Sequence, residues 1–173
     1  MVKLLSKKSI VVFIAIIITL TAFFTKGLWT AMSVKSTDLT QLAINNIALS
    51  QNIADIDLTV YKKNRDFNDK RTKDAEYRYF ENFLIVYSSD GEIMKLQTLS
   101  ENGFSSLAGY KFLYLDDIKN KLGSHFADQS YDSAQSLNAI VYYDKTNRTK
   151  AKFVYPKNKK LDQTIVWAIL EKY

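Results

Sequence analysis

The longest apolar stretch of the 173-residue chain lies at residues 10–24 and contains no charged side chain. Three lysines, Lys3, Lys7 and Lys8, precede this stretch, and Lys26 follows it. Basic residues that precede an apolar segment tend to remain in the cytosol. The pattern therefore predicts that the rest of the chain lies on the outer side of the cytoplasmic membrane of a bacterium.

The apolar stretch is compatible with two kinds of segment. Counted on to Trp29 it reaches 20 residues, which is long enough for a membrane-spanning anchor with its indole ring at the outer interface. A secretory signal peptide also needs a basic start, an apolar core and a small-residue cleavage site, for which only Ala22 offers a weak candidate. The sequence favours an anchor over residues 1–29 and a tether over 30–37, in a single-pass protein with its C-terminal domain outside. Cleavage and secretion is the alternative.

Beyond the tether, two segments show the spacing of apolar residues that is typical of helices. The first covers residues 38–56. The second begins near Leu115 and ends before Gly123, a residue type that often terminates helices. Both segments are predicted to be α-helices.

Other segments are rich in aromatic and β-branched residues, which favours strands. Residues 82–87 and 93–99 flank Asp90-Gly91, a dipeptide that is typical of hairpin turns. Further strands are predicted downstream, at residues 139–143, 151–155 and 165–170.

The two halves of the chain resemble each other. Val86-Tyr87 and Val154-Tyr155 each precede a polar turn and then an aliphatic residue, at the same spacing. This similarity indicates an internal duplication, with repeats at 38–100 and 107–173 inside one domain at 38–173. The predicted fold class is α+β: two helix-plus-antiparallel-hairpin repeats that can join into one continuous sheet, with helices on one face and the other face open.

This layout resembles that of secreted β-lactamase-inhibitor proteins and small outer-membrane assembly lipoproteins. The resemblance is one of architecture over residues 40–170, and no functional residue is carried over from it. The chain departs from both groups because it has no cysteine, and therefore neither the disulfides of the inhibitors nor a lipid-modified cysteine. The resemblance implies an extracytoplasmic protein that binds a partner on a concave sheet.

Composition narrows the possible functions. Without cysteine, the chain has no disulfides, thiolate metal sites or cysteine nucleophile. The formal net charge is +6, but four lysines and no acid fall in the first 26 residues, which leaves the remainder close to balance. A nucleic-acid partner is therefore not expected, because such proteins carry a basic patch on the folded domain. Eleven tyrosines and ten phenylalanines can supply the core of one compact domain.

The sequence contains few candidates for catalytic residues. His125 is the only histidine, and it has no candidate nucleophile that could face it. Asp116 and Asp117 are neighbours near a helix start, where they suit the helix dipole but point in different directions. No glycine-rich phosphate loop or nucleophile elbow is present. The sequence predicts a protein that is not an enzyme and that uses neither cofactor nor metal.

Two sets of residues are the candidates for binding. Aromatic side chains on an open sheet are suited to protein contacts, and five tyrosines fall on predicted strands, namely Tyr79, Tyr87, Tyr142, Tyr143 and Tyr155. Exposed lysines can contact anionic lipid or wall polymer, and one dense cluster contains Lys157, Lys159 and Lys160.

The predicted function is that of a non-catalytic extracytoplasmic protein-binding module of the inhibitor, toxin-immunity or envelope-assembly type. Its expected partners are the cytoplasmic membrane and another extracytoplasmic protein. The alternatives are a module that contacts envelope polymer or lipid, and an envelope enzyme that depends on carboxylates.

Overall fold

The computed structural model describes residues 33–99, 105–107, 110–111, 114–157 and 164–173. The predicted anchor or signal segment at 1–29 lies outside these residues, as does the start of the tether. Lys35–Tyr173 forms one compact unit. Within the described ranges, none of the helices has the length and the apolar character that crossing a bilayer requires.

The described part of the unit is built mainly of β-strands. In chain order the strands are β1 (Leu42–Ile44), β2 (Ile47–Ala48), β3 (Lys70–Arg71), β4 (Ala75–Tyr79), β5 (Phe83–Ser88), β6 (Ile93–Thr98), β7 (Ser105–Leu107), β8 (Tyr110–Lys111), β9 (Ala127–Asp132), β10 (Leu137–Asp144), β11 (Thr149–Pro156) and β12 (Trp167–Lys172). The described residues of this unit contain one α-helix, α1 (Leu115–Leu122).

All of the pairings between these strands are antiparallel, and they form two sheets. The large sheet has the order β3-β4-β5-β6-β12-β11-β10-β9, and the small sheet has the order β2-β1-β7-β8. Both orders are symmetric: two equivalent halves meet at β6 and β12 in the large sheet and at β1 and β7 in the small one. The predicted α+β class is therefore wrong, because the described strands of each half form a short hairpin and a β-meander, and the one described α-helix of the unit, α1, lies between β8 and β9.

The helix predicted over 38–56 is replaced by the hairpin of β1 and β2. Asn45 and Asn46 form its turn with positive φ angles of 51° and 65°, as a type I′ turn requires. The chain then makes two single turns of 3₁₀ helix, Ile53–Asp55 and Leu58–Val60. The apolar spacing was misleading because a tight Asn-Asn turn reverses the chain in the middle of the segment.

The second predicted helix is confirmed as α1. Its Leu115 and Ile118 are buried, and Asp117 accepts a hydrogen bond from the backbone N–H of Tyr114 at the helix start. Gly123 follows the last turn with a φ of 84°, a conformation that favours glycine.

The two faces of the large sheet have different environments. The face that carries Ile85, Leu96 and Leu170, here called the first face, packs with the small sheet and α1 into one hydrophobic cluster. Adjacent residues of a strand point to opposite faces. The opposite face, which carries Val86 and Lys95 and is here called the second face, contributes no side chain to that cluster among the described residues.

One buried carboxylate fixes the start of the compact unit to the sheet. Asp144 accepts hydrogen bonds from the backbone N–H of Leu39 at 3.1 Å, of Thr146 at 3.1 Å and of Asn147 at 3.0 Å, and from the Asn147 amide at 2.8 Å. Burial alone would raise the pKa of Asp144, but these hydrogen bonds outweigh it and the pKa is lowered. The ionised carboxylate therefore joins the segment before β1 to the β10–β11 turn.

Candidate functional site

The second face brings together charged side chains that are far apart in the sequence. Glu171 on β12 lies opposite Lys95 on β6 and opposite Lys150 on β11. Lys152 lies two residues further along β11 on the same face. These four residues, here called the lysine cluster, combine three cations with one anion.

Glu171 is the centre of the lysine cluster. Its Oε1 lies 2.7 Å from the Lys152 Nζ and 3.2 Å from the Lys150 Nζ. All three side chains are largely withdrawn from solvent, since Glu171 is 18% exposed, Lys150 24% and Lys152 25%. Burial alone would raise the pKa of Glu171, but the hydrogen bonds and charges of Lys152 and Lys150 outweigh it, so the pKa is lowered.

Lys95 is in a different situation. Among the described residues, its ammonium makes no hydrogen bond and no direct ion pair, although the side chain is half-buried. Burial lowers the pKa of Lys95; the charge of Glu171 opposes that effect, while the positive charges of Lys152 and Lys150 add to it. A half-buried cation beside two others is unfavourable for the isolated chain.

The symmetry of the sheet shows that the fold does not require these lysines. Counted from the central strands β6 and β12, Lys150 and Lys152 on β11 correspond to Leu84 and Val86 on β5. Leu84 and Val86 are buried, at 7% and 6% exposure. The same architecture thus accepts apolar side chains at the equivalent positions, so the lysines are a property of one half of the face.

Aromatic side chains lie on the same face beside the lysine cluster. The rings of Tyr131 on β9 and Trp167 on β12 are 5.8 Å apart between centroids, although two strands separate them. Ala139 and Val154 lie between them in the register, and their small side chains leave room for the two rings to lean together. Tyr131 is 39% exposed and Trp167 is half-buried.

The predicted tyrosines do not share one surface. Tyr142 is fully buried on the first face, where its hydroxyl donates to the Gly123 carbonyl at 2.7 Å and burial raises its pKa. Tyr155 is buried on the same face, with its hydroxyl 3.4 Å from Asp128. Tyr143 lies on the second face but is only 5% exposed. These three rings are interior side chains, which differs from the exposure that the sequence led us to expect.

The other two predicted tyrosines are half-buried and lie on opposite faces. Tyr79 stacks on Phe67 with ring centroids 5.5 Å apart on the second face. Tyr87 lies on the first face, where its hydroxyl donates to Glu76 at 2.8 Å and accepts from the Arg78 Nε at 3.0 Å. Among the predicted lysines, Lys157 is exposed directly after β11. Lys159 and Lys160 lie outside the described residues.

The carboxylates around β4 form a closed network. Arg78 donates to Glu76 at 3.0 Å and to Asp69 at 3.2 Å, and Lys63 donates to Asp69 at 2.7 Å. The pKa of Glu76 is lowered, chiefly by the hydrogen bond from Tyr87. Both acids are engaged by cations, and this arrangement anchors the segment before β4 to the sheet edge.

A cleft of about 180 Å³ opens beside the first face. Its apolar lining comes from Leu39, Leu42, Leu49 and Leu170, and the lining residues that the structure describes include no acidic side chain. Among the described residues, no group of three histidine or acidic side chains is arranged to hold a metal ion. The lysine cluster and its aromatic neighbours are therefore the arrangement on which a functional argument can rest.

No protein-family model, curated protein or solved structure matches this chain. The architectural resemblance to secreted β-lactamase inhibitors thus stays a prediction.

Proposed function

We propose that this protein is a non-catalytic binding module that holds a partner protein against the partly exposed region of the second face formed by Tyr131, Trp167 and the lysine cluster, on the outer side of a bacterial membrane. The observation that carries the proposal is the combination, on that face, of the lysine cluster with the Tyr131–Trp167 pair. The first face is occupied by the small sheet and α1 of the same chain.

The two parts of the second face suit different tasks. Aromatic side chains are enriched among the residues that contribute most to binding at protein interfaces, and Tyr131 and Trp167 offer two adjacent rings. Charged groups mainly determine which partner is accepted and how fast it associates. A partner that places an apolar or aromatic anchor on the rings and acidic groups near Lys95 would match both.

The outer location follows from the basic start and the apolar stretch of the sequence. Such a location, together with the few candidates for acid–base catalysis in the sequence, favours a role in inhibition, immunity or envelope assembly.

A site-specific photo-crosslinker tests the proposal. The full chain is expressed in its own cells with a benzophenone side chain in place of Tyr131, or in place of Val60 as a control. Val60 is 70% exposed at the end of a 3₁₀ turn and belongs to neither sheet. We expect irradiation of intact cells to give one discrete heteromeric adduct from position 131 and none of that mass from position 60. Equal adduct patterns at both positions, or none at 131, would refute the proposed surface.

A further inference from the structure

The lysine cluster has an unbalanced charge. Lys150 and Lys152 share one carboxylate oxygen of Glu171, and among the described residues no second carboxylate pairs with either of them or with Lys95. Three ammonium groups and one carboxylate leave a formal excess of two positive charges in a half-buried location. Buried charges are normally paired, because desolvation is costly when no opposite charge compensates for it.

From this imbalance we infer that the lysine cluster is a binding site for a carboxylate side chain from an acidic segment of the partner, received by Lys95 together with Lys150 and Lys152. The inference rests on the proposed function and adds the chemistry of the group that is recognised.

Glu171 shows what the site accepts. Its carboxylate already lies within hydrogen-bond distance of two lysine ammonium groups, at 2.7 Å and 3.2 Å. The internal carboxylate therefore shows that one carboxylate at this position can contact two of the lysines at once. Lys95 lies on the other side of Glu171 and is the cation that an incoming carboxylate can neutralise.

The depth of the cluster distinguishes a protein side chain from a lipid surface. Lysines that bind a bilayer must project from the fold to reach the plane of the headgroups. Lys150 and Lys152 keep only 24% and 25% of their side chains exposed. A single carboxylate side chain can reach ammonium groups with so little exposed surface, whereas a flat membrane surface cannot approach them closely.

Trp167 provides a natural probe for the test. It lies two residues along β12 from Ile169, which pairs with Lys152, so its fluorescence reports on the same face. The full chain is prepared with Trp29→Phe so that Trp167 is the only tryptophan. A hexaglutamate peptide, inorganic phosphate and phosphatidylglycerol vesicles are then titrated separately at low salt.

We expect hexaglutamate to change the Trp167 fluorescence with saturation, and Lys95→Met to raise the peptide Kd by about tenfold or more, which is typical of losing one well-placed charge contact. Glu171→Gln removes the competing internal carboxylate and should lower the Kd. A merely structural role of Glu171 would not tighten binding.

Lys172→Met is the matched control. Lys172 follows Glu171 in the same strand, points to the other face and pairs with Glu92. Its replacement removes the same charge and should leave the peptide Kd unchanged.

Three outcomes would overturn the inference. Equal weakening by Lys95→Met and Lys172→Met would show a general charge effect. Saturable binding of phosphate or vesicles, but not of the peptide, would assign the cluster to a phosphate group. An absence of any binding would reject the anion site. The crosslink from position 131 would still stand in each case, so failure of this inference is distinct from failure of the proposed function.

Discussion

Replacing Asp144 with alanine tests how the segment before β1 is held to the large sheet. Asp144 is 2% exposed and accepts four hydrogen bonds, of which only the one from the Leu39 N–H connects distant parts of the chain. The donors of Thr146 and Asn147 lie in a turn and can bond to water after the substitution. The buried Leu39 N–H cannot do so easily, and an unsatisfied buried group costs about 1–3 kcal/mol. Together with the loss of the hydrogen bonds in the turn, we expect the substitution to lower the free energy of unfolding by about 3 kcal/mol.

Asp132→Ala is the matched control for that substitution. Asp132 accepts hydrogen bonds from the N–H groups of Ala134 at 2.9 Å and Gln135 at 3.1 Å, the same local pattern in the preceding turn. It makes no comparable long-range bond among the described residues, so its loss should cost only about 1 kcal/mol. Urea unfolding of the full chain, followed by circular dichroism, measures both. Equal losses, or an Asp144→Ala effect below about 0.5 kcal/mol, which is usual for an ordinary surface change, would show that the Leu39 contact does not hold this segment.

The same contact predicts a dependence on pH. The pKa of Asp144 is lowered in the folded chain. A carboxyl group whose pKa is lower in the folded chain than in the unfolded chain stabilises the fold fully above its unfolded pKa of about 3.9. This stabilisation is lost as the pH falls through its folded pKa. The stability difference between the wild type and Asp144→Ala should therefore be constant near neutral pH and shrink below about pH 4. A difference that stays constant down to pH 2.5 would contradict the assignment.

Three further substitutions have defined outcomes. Gly91→Ala should lower the free energy of unfolding in urea more than Gly123→Ala does. Both glycines have a φ near +85°, but a Cβ added at Gly91 would lie 2.5 Å from the Asn52 Oδ1, whereas a Cβ added at Gly123 would meet no atom within 4 Å. We expect a difference of about 1 kcal/mol or more, and equal costs would contradict the close approach. Tyr142→Phe should cost about 1 kcal/mol through loss of its hydrogen bond, and absorbance titration should show one fewer tyrosine ionising well above pH 10; an unchanged titration would exclude the buried phenol. Lys95→Met should stabilise the chain slightly in the same unfolding assay, because it removes a half-buried charge without a direct partner; a loss above about 1 kcal/mol would contradict this account of the side chain.

Local signals explain which parts of the fold could be predicted. The turn at Asp90-Gly91 and the stripe from Leu115 to Leu122 depend on neighbours within a few residues, and both were identified. The turn at Asn45-Asn46 was equally local, but the apolar residues around it happened to match helical spacing. β9 was missed because an edge strand that pairs on one side tolerates a polar sequence, as Ala127–Asp132 shows.

The candidate site could not be predicted because it depends on strand pairing between the two halves. Lys95 and Glu171 become neighbours only when β6 pairs with β12. The sequence directed attention to Lys157, which belongs to a cluster that is dense along the chain, whereas the lysine cluster is dense only across strands. The alternation of Lys150 and Lys152 within an apolar strand was the available signal, since half-buried lysines at such positions are unusual.

Coverage of the lysine cluster by a partner can be measured as the reactivity of individual lysines toward an acetylating reagent, compared between native envelopes and the purified full chain. If a partner covers the second face, Lys95, Lys150 and Lys152 should be acetylated several-fold more slowly in envelopes, as quantified by mass spectrometry. Lys70 and Lys73, which are exposed at and beside the β3 edge, should react equally in both samples. Equal rates for all five lysines in the two samples would contradict the claim that this face is an interface.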